Sequence, residues 1–244
     1  YFDLNTRKTY PRSVFNAMFR HLDCKSINSK RKIEASVFFD ENREAHGSTV
    51  LDCVTYAPGE KEVVLQKGEF AGNTWRDARP SVNQQLDVDV EPWLKHCRKL
   101  VPISDELEHI LDVMSYKLRY PRVKINHAIL HAGRQGCGKD TMWAPFFWAV
   151  CGPDGQNKGY LDNKSLNTQW GYHLESEVLL INELKEPTAA ERHAIDNNLK
   201  PIIAAPPDTL TVNRKGLHPY QAVNRTMVLA FSNSRTPISL QSQD

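Results

Sequence analysis

Three consecutive segments constrain the fold of this chain more than any other part of it. Ala128-Ile129-Leu130-His131-Ala132 is a short apolar run, Gly133-Arg134-Gln135-Gly136-Cys137-Gly138-Lys139-Asp140 is a glycine-rich stretch, and Thr141 to Val150 is largely apolar and is closed by Gly152-Pro153. A short apolar run that ends at a glycine reads as a buried parallel strand. An apolar stretch of helical length stopped by Gly-Pro reads as a buried helix. Strand, glycine turn and helix together predict an α/β fold with a central parallel sheet flanked by helices.

The turn follows the phosphate-loop pattern G-x-x-x-x-G-K-[ST] with one departure: Gly133, Gly138 and Lys139 are in register, and Asp140 stands where a hydroxyl residue is usual. In such a turn the backbone N–H groups from Gly136 to Lys139 surround a β-phosphate, and the helix N-terminus adds positive potential. Lys139 reaches the β- and γ-phosphates. The expected nucleotide-binding set is Gly133, Gln135, Gly136, Cys137, Gly138, Lys139, Asp140 and Thr141. The plainer alternative is a strand-to-helix turn with an incidental lysine.

Two more apolar runs end in polar residues. Val178-Leu179-Leu180-Ile181 leads to Asn182-Glu183, and Met227-Val228-Leu229-Ala230-Phe231 leads to Ser232-Asn233. A carboxylate at a strand end beside a phosphate loop can orient an attacking water, which points to Glu183. An asparagine amide in that position can hydrogen-bond a γ-phosphate or the water, which points to Asn233.

The usual pair at the acidic strand end is Asp-Glu, and here Asn182 takes the first place while Asp140 brings a carboxylate into the loop. The charge beside a metal is then conserved by exchange. Asp140, with Asn182, is expected to place Mg²⁺ directly or through water, since hard oxygen donors suit that ion. The competing reading gives Thr141 that duty, or leaves Asp140 facing a basic neighbour without touching metal.

Between the second and third runs, Asp208 to Val212 and Leu217 to Asn224 flank Asn213-Arg214-Lys215-Gly216, which predicts a hairpin with a basic tip. Arg214 and Lys215 are the candidate contacts to a nucleic-acid backbone, the alternative being a turn that is basic because it is exposed.

With 31 basic and 29 acidic residues the net charge is only +2, so no global field marks a polyanion ligand and any such contact is local. The five cysteines, Cys24, Cys53, Cys97, Cys137 and Cys151, form no C-x-x-C pair. That pattern fits a reducing compartment and offers no zinc site. The apolar stretch to Val150 is too short to span a bilayer and the start is no signal peptide, so a soluble, cytoplasmic protein without a membrane partner is expected.

Residues 1–89 read as a smaller α+β region. Val14, Phe15, Met18, Phe19 and Leu22 share one face of a predicted helix from Ser13 to Leu22. Thr49 to Tyr56 and Glu62 to Gln66 are expected to be strands of a small antiparallel sheet or hairpin, with a turn at Gly72-Asn73-Thr74-Trp75. The polar stretch from Arg79 to Asp89 is the expected linker. Residues 90–244 read as the ATPase-like domain, opening with helices over Pro92 to Leu100 and Ser104 to Leu118. Ser104 is the expected N-cap of the second, and Leu107, Ile110, Leu111, Met114 and Leu118 its inward face.

In sequence order, "HAGRQGCGKDT", "VLLINEL", "TVNRKG" and "MVLAFSNS" resemble the motifs of superfamily 3 helicases, especially the helicase part of phage and plasmid primase-helicases. The likeness spans about residues 90–240. "YFDLNTRKTY", "VFNAMF" and "GNTW" are similar, more loosely, to the segment that precedes the core in such proteins.

The resemblance implies a P-loop NTPase of AAA+ type. Lys139 would bind phosphate and Glu183 would be the catalytic carboxylate. Lys215 would contact single-stranded DNA in a central pore, and Asn233 would be the polar sensor. It further implies ATP and Mg²⁺ as cofactors, DNA replication as the setting, a hexameric ring as the assembly and, for a phage protein, the host cytoplasm as its location. Family members carry an arginine finger shortly after the asparagine strand. Arg235 is the only arginine past Asn233, so the finger is expected beyond Asp244 and the domain is expected to continue there. Two other functions fit parts of the pattern: a P-loop nucleotide kinase, and a hydrolysis-deficient ATP-binding module for oligomerisation or DNA loading.

Overall fold

The structure, a computed structural model, describes residues 1–47, 50–81, 87–162, 171–182, 197–215 and 218–233. The chain forms two compact units, Tyr1–Thr55 with Glu60–Thr74, and Tyr56–Gly59 with Trp75–Asp244. The division therefore falls at Thr74, ahead of the linker expected to end at Asp89. Trp75 and Arg79 explain the shift: the indole Nε1 donates to Glu177 at 2.8 Å and the guanidinium Nη2 at 2.7 Å, which ties both to the second unit.

The first unit pairs β1 (Phe2–Asp3) with β2 (Lys8–Thr9), then carries α1 (Arg12–Met18) and α2 (Ala35–Glu41). Phe15 stacks on Tyr1 at 4.0 Å and meets the edge of Phe39 at 5.6 Å. Of the apolar face predicted for α1, Phe15 and Phe19 are half-buried, whereas Val14, Met18 and Leu22 are exposed.

A three-stranded sheet completes this unit. β3 (Cys53–Thr55) and β4 (Val63–Gln66) are both strands as expected, but they form no hairpin and the sheet is mixed, because β5 (Glu69–Asn73) lies between them, parallel to β3 and antiparallel to β4. The predicted turn at Gly72-Asn73 is thus the end of a strand. Gly72 serves close packing there: a Cβ would lie 2.9 Å from both Leu51 Cδ1 and Phe2 Cδ1.

The second unit opens with α3 (Glu91–Leu100) and α4 (Ser104–Arg119). Ser104 is the first helical residue of α4 and Ile103 precedes it as N-cap, so the expected serine cap is not formed. Leu107, Ile110, Val113 and Met114 face inward, and so does Lys117 in place of the expected Leu118. Next come β6 (Ala128–Ala132), α5 (Lys139–Cys151), β7 (Lys158–Leu161), β8 (Val178–Ile181), the helical residues 197–203, the hairpin strands β9 (Thr209–Val212) and β10 (Tyr220–Val223), and β11 (Met227–Ser232).

Strands β6, β11, β8 and β7 form one parallel sheet in that spatial order. Every residue of β8 and β11 is buried, which is why these strands read as unbroken apolar runs. The two-residue period of a strand splits β8 between two cores. Val178 and Leu180 pack with Met142, Trp143 and Phe146 of α5, while Leu179 and Ile181 pack with Leu199, Ile202 and Leu210. Each such side chain contributes about 1.5–3 kcal/mol by leaving water. The layers match the expected parallel sheet covered by helices. No helix among the described residues is long and apolar enough to cross a membrane.

Candidate functional site

Because all four strands of this sheet are parallel, their carboxyl ends converge on one edge of it. The residues that follow are Gly133 after β6, Asn233 after β11, Asn182 after β8 and Asp162 after β7. In open parallel sheets this edge is where ligands bind, in the crevice beyond the strands.

The loop after β6 bends through two glycines in the left-handed region, Gly136 at φ 74° and Gly138 at φ 97°. Gly138 is also the N-cap of α5, and a Cβ on it would lie 2.6 Å from His96 Cε1. Helix α3 thereby grips the loop. His96 Nε2 sits 3.0 Å from the Gly138 carbonyl, which can only accept, so that nitrogen carries the proton. One turn earlier, Trp93 Nε1 donates to the Met142 carbonyl at 3.0 Å.

Lys139 is 7% exposed and sits beneath the loop. Its ammonium donates to the carbonyls of Gly133 at 2.6 Å and Arg134 at 3.2 Å, and to Asn233 Oδ1 at 3.2 Å. Gly133 N donates in turn to Ser232 O at 3.0 Å, closing the loop onto β11. The lysine and the asparagine, 94 residues apart in the chain, meet at the carboxyl edge because β11 is the neighbour of β6.

Behind the loop, His131 Nδ1 accepts from Trp143 Nε1 at 2.9 Å, which leaves the ring proton on Nε2. Burial lowers the His131 pKa, and the Lys139 charge lowers it further, so the imidazole stays neutral. Asp140 lies in the first turn of α5, where its carboxylate complements the positive end of the helix.

Gln135, Gly136, Asp140, Thr141, Asn182 and Asn233 are exposed, and Gly133, Cys137 and Gly138 are half-buried. Asp140 and Asn182 stand on the same edge of the sheet with β11 between their strands. Both offer hard oxygen donors, a set that fits Mg²⁺ better than a softer metal. Among the described residues no three His, Cys, Asp or Glu side chains converge as a preformed metal cage. Glu183 and Arg235 lie outside the described residues.

β9 and β10 pair antiparallel as expected, with Val212 opposite Tyr220. The two basic residues of the tip differ. Arg214 forms an ion pair with Glu175, whose other carboxylate oxygen accepts from the Tyr220 hydroxyl, and its guanidinium lies 6.0 Å from the Tyr172 ring. Lys215 is exposed, and its backbone N donates to the Tyr172 hydroxyl at 3.1 Å. Gly216 lies outside the described residues.

The sequence reading missed Trp93, His96, His131 and Glu175. The three-residue spacing of Trp93 and His96, which puts them on one face of α3, was the available signal for the first two. Glu175 carried none.

Residues 131–244 match the model of a family of unknown function, DUF5906. No protein of curated function matches the chain. Among solved structures, the chain is similar to the apo structure of the NrS-1 C-terminal region (305–718), at 18% identity and a TM-score of 0.63 over 90% of this chain and 53% of that one. It is also similar to the A form of that region, at 16% identity and a TM-score of 0.65 over 100% of this chain and 56% of that one. The chain thus spans about half the length of these structures, and at such identity the likeness is one of fold.

Proposed function

We propose that this chain is the motor part of an ATP-dependent DNA helicase of superfamily 3 type, a P-loop ATPase of AAA+ class that translocates on single-stranded DNA during replication. The observation that carries the reading is the contact of Lys139 Nζ with Asn233 Oδ1 at 3.2 Å, beneath a glycine loop at the carboxyl edge of a parallel sheet. A lysine only donates, so the amide turns its oxygen to Lys139 and leaves Nδ2 to donate to an incoming oxyanion. Ammonium and amide then face one γ-phosphate together.

In this reading the loop N–H groups and the start of α5 hold the β-phosphate, and Lys139 neutralises charge as the γ-phosphate leaves. Glu183, next in sequence after Asn182, orients the attacking water. Mg²⁺ held near Asp140 and Asn182 would neutralise charge on the β- and γ-phosphate oxygens. Lys215, exposed at the hairpin tip, contacts the DNA backbone, whereas Arg214 anchors the tip to Glu175. A hexameric ring, with an arginine finger supplied by a neighbour, completes each site, and the protein works in the cytoplasm.

The test is ATP hydrolysis by the full-length protein with and without single-stranded DNA. Stimulation by DNA, with a loss of about 10²–10³ in rate for Lys139→Ala, is the expected result. Transfer of phosphate to a nucleoside monophosphate would favour a kinase, and ATP binding without turnover would favour a loading module. Either outcome overturns the motor.

A further inference from the structure

β6 and β11 run parallel with Val228 opposite Ala128, so the segments that lead into them share the amino edge of the sheet, opposite the phosphate loop. There, residues 120–127 and α4 line an open pocket of about 570 Å³. Clefts of this size take ligands as large as a nucleotide. Its floor is apolar, with Val113 and Ile125 both buried.

Tyr116 and Tyr120 stand at the pocket one helical turn apart, 44% and 50% exposed, with ring centroids 5.0 Å apart and planes tilted by 50°. Arg119 lies beside them and is exposed. Asn126 Oδ1 accepts from Ala205 N at 3.1 Å, which assigns the amide and leaves Nδ2 to donate. Asp112 supplies acceptors on the same wall. An apolar floor, two aromatic faces, a donor and acceptor pair and one guanidinium match a flat ring with a mixed hydrogen-bonding edge and a phosphate attached to it.

Lys124 also lines the pocket, but it braces the wall. Its ammonium donates to the Thr226 carbonyl at 2.6 Å and to that of Ile202, and burial holds its pKa down at about 8. Thr226 follows the last residue of β10, Val223, by three positions, so the wall is tied to the segment that joins the basic hairpin to β11.

We infer that this pocket takes an unpaired base of the DNA strand held by the hairpin tip, stacked on one ring of the Tyr116–Tyr120 pair with its phosphate on Arg119. The inference rests on the reading of the chain as a DNA motor. Stacking of this kind is tolerant of sequence, because every base has a π-face.

The experiment is fluorescence anisotropy of a labelled oligothymidine with the full chain and its variants, all checked for unchanged melting temperature. Replacing both tyrosines (Tyr116→Ala, Tyr120→Ala) should weaken binding about tenfold without changing the salt slope. Arg119→Ala should weaken it and reduce the slope of log K against log salt by about 0.7.

Oligothymidine binding that depends on Lys215 and is indifferent to Tyr116, Tyr120 and Arg119 overturns the pocket and leaves the motor standing. No binding by the unaltered chain overturns the DNA reading and the pocket with it. In a second arm, a Lys139→Ala protein is titrated with thymidine monophosphate. Tyrosine-dependent binding of the mononucleotide, with no tyrosine dependence for the oligomer, assigns the pocket to a free nucleotide and overturns the strand assignment.

Discussion

Lys117 and Lys139 are both buried lysines of the second unit, one near each edge of its parallel sheet. Lys117 is fully buried, donates to the Arg225 carbonyl at 2.7 Å and lies near Glu177, which is also fully buried. Glu177 accepts from Trp75, Arg79 and Asn157, and the Asn157 amide oxygen accepts from the Tyr56 hydroxyl at 3.1 Å. The same burial pushes the Cys151 thiol up to about 12 and keeps it unreactive. At the other edge, Lys139 meets carbonyls too, but the residues around it, Gln135, Gly136, Asp140, Asn182 and Asn233, are exposed. A buried charge enclosed by protein partners holds the fold together. A buried charge beneath an exposed loop of glycines and amides is within reach of a ligand.

The sharpest way to break this contrast is Glu177→Ala. Removing one partner of a buried ion pair costs about 3–5 kcal/mol, so a large fall in melting temperature is expected with nucleotide affinity unchanged. A variant as stable as the parent would mean that the amino-edge network is not structural.

Asn233→Ala is the mirror experiment. It should lower the ATP hydrolysis rate by about 10²–10³, a barrier increase of about 2.7–4 kcal/mol, while stability stays level. Stability loss without a rate effect would exchange the roles assigned to the two edges.

Acid–base behaviour sharpens the contrast next. Burial lowers the Lys117 pKa from 10.5 to about 8, and the folded state therefore binds fewer protons than the unfolded chain between those values. Stability should rise with pH across that window, by at most about 3 kcal/mol from this residue, whereas below pH 8 the cost of the buried charge is complete. Lys117→Met should flatten the rise to the part due to Lys124, as read by chemical denaturation at pH 7.5 and 10.

The smallest expected effect is that of Gly138→Ala, about 1–2 kcal/mol from forcing an L-residue to φ 97°. The Cβ would also press on His96. Loss of ATP binding without loss of stability would show the glycine to serve the ligand alone.

Three of the four parallel strands were legible in the sequence for a physical reason, while β7, four residues at the sheet's other edge with only Leu161 buried, was not. β8 and β11 are buried throughout, so each had to be an unbroken apolar run, and the polar residues at its end mark the carboxyl edge, whereas β6, at the edge of the sheet with Leu130 and Ala132 exposed, was legible from the glycine turn that follows it. Helix α5 was legible between its glycines. β5 was not, because Gly72-Asn73 has the composition of a turn and becomes strand through its pairing with Val54 and Thr55 of β3 and Val63 of β4. Arg214 and Lys215 looked alike in sequence. A single carboxylate, Glu175, brought close by tertiary structure, separates them.

By itself the sequence determined the elements whose pattern is local: the strand, glycine turn and helix from Ala128 to Cys151, and the polar strand ends at Asn182 and Asn233. Only the tertiary structure decided the strand order, which inserts β11 beside β6 and brings Asn233 to Lys139. Local periodicity specifies which faces of a strand are buried, but not which strand lies next to it. That choice depends on contacts between residues far apart in the chain, and it is the choice that assembles the candidate site.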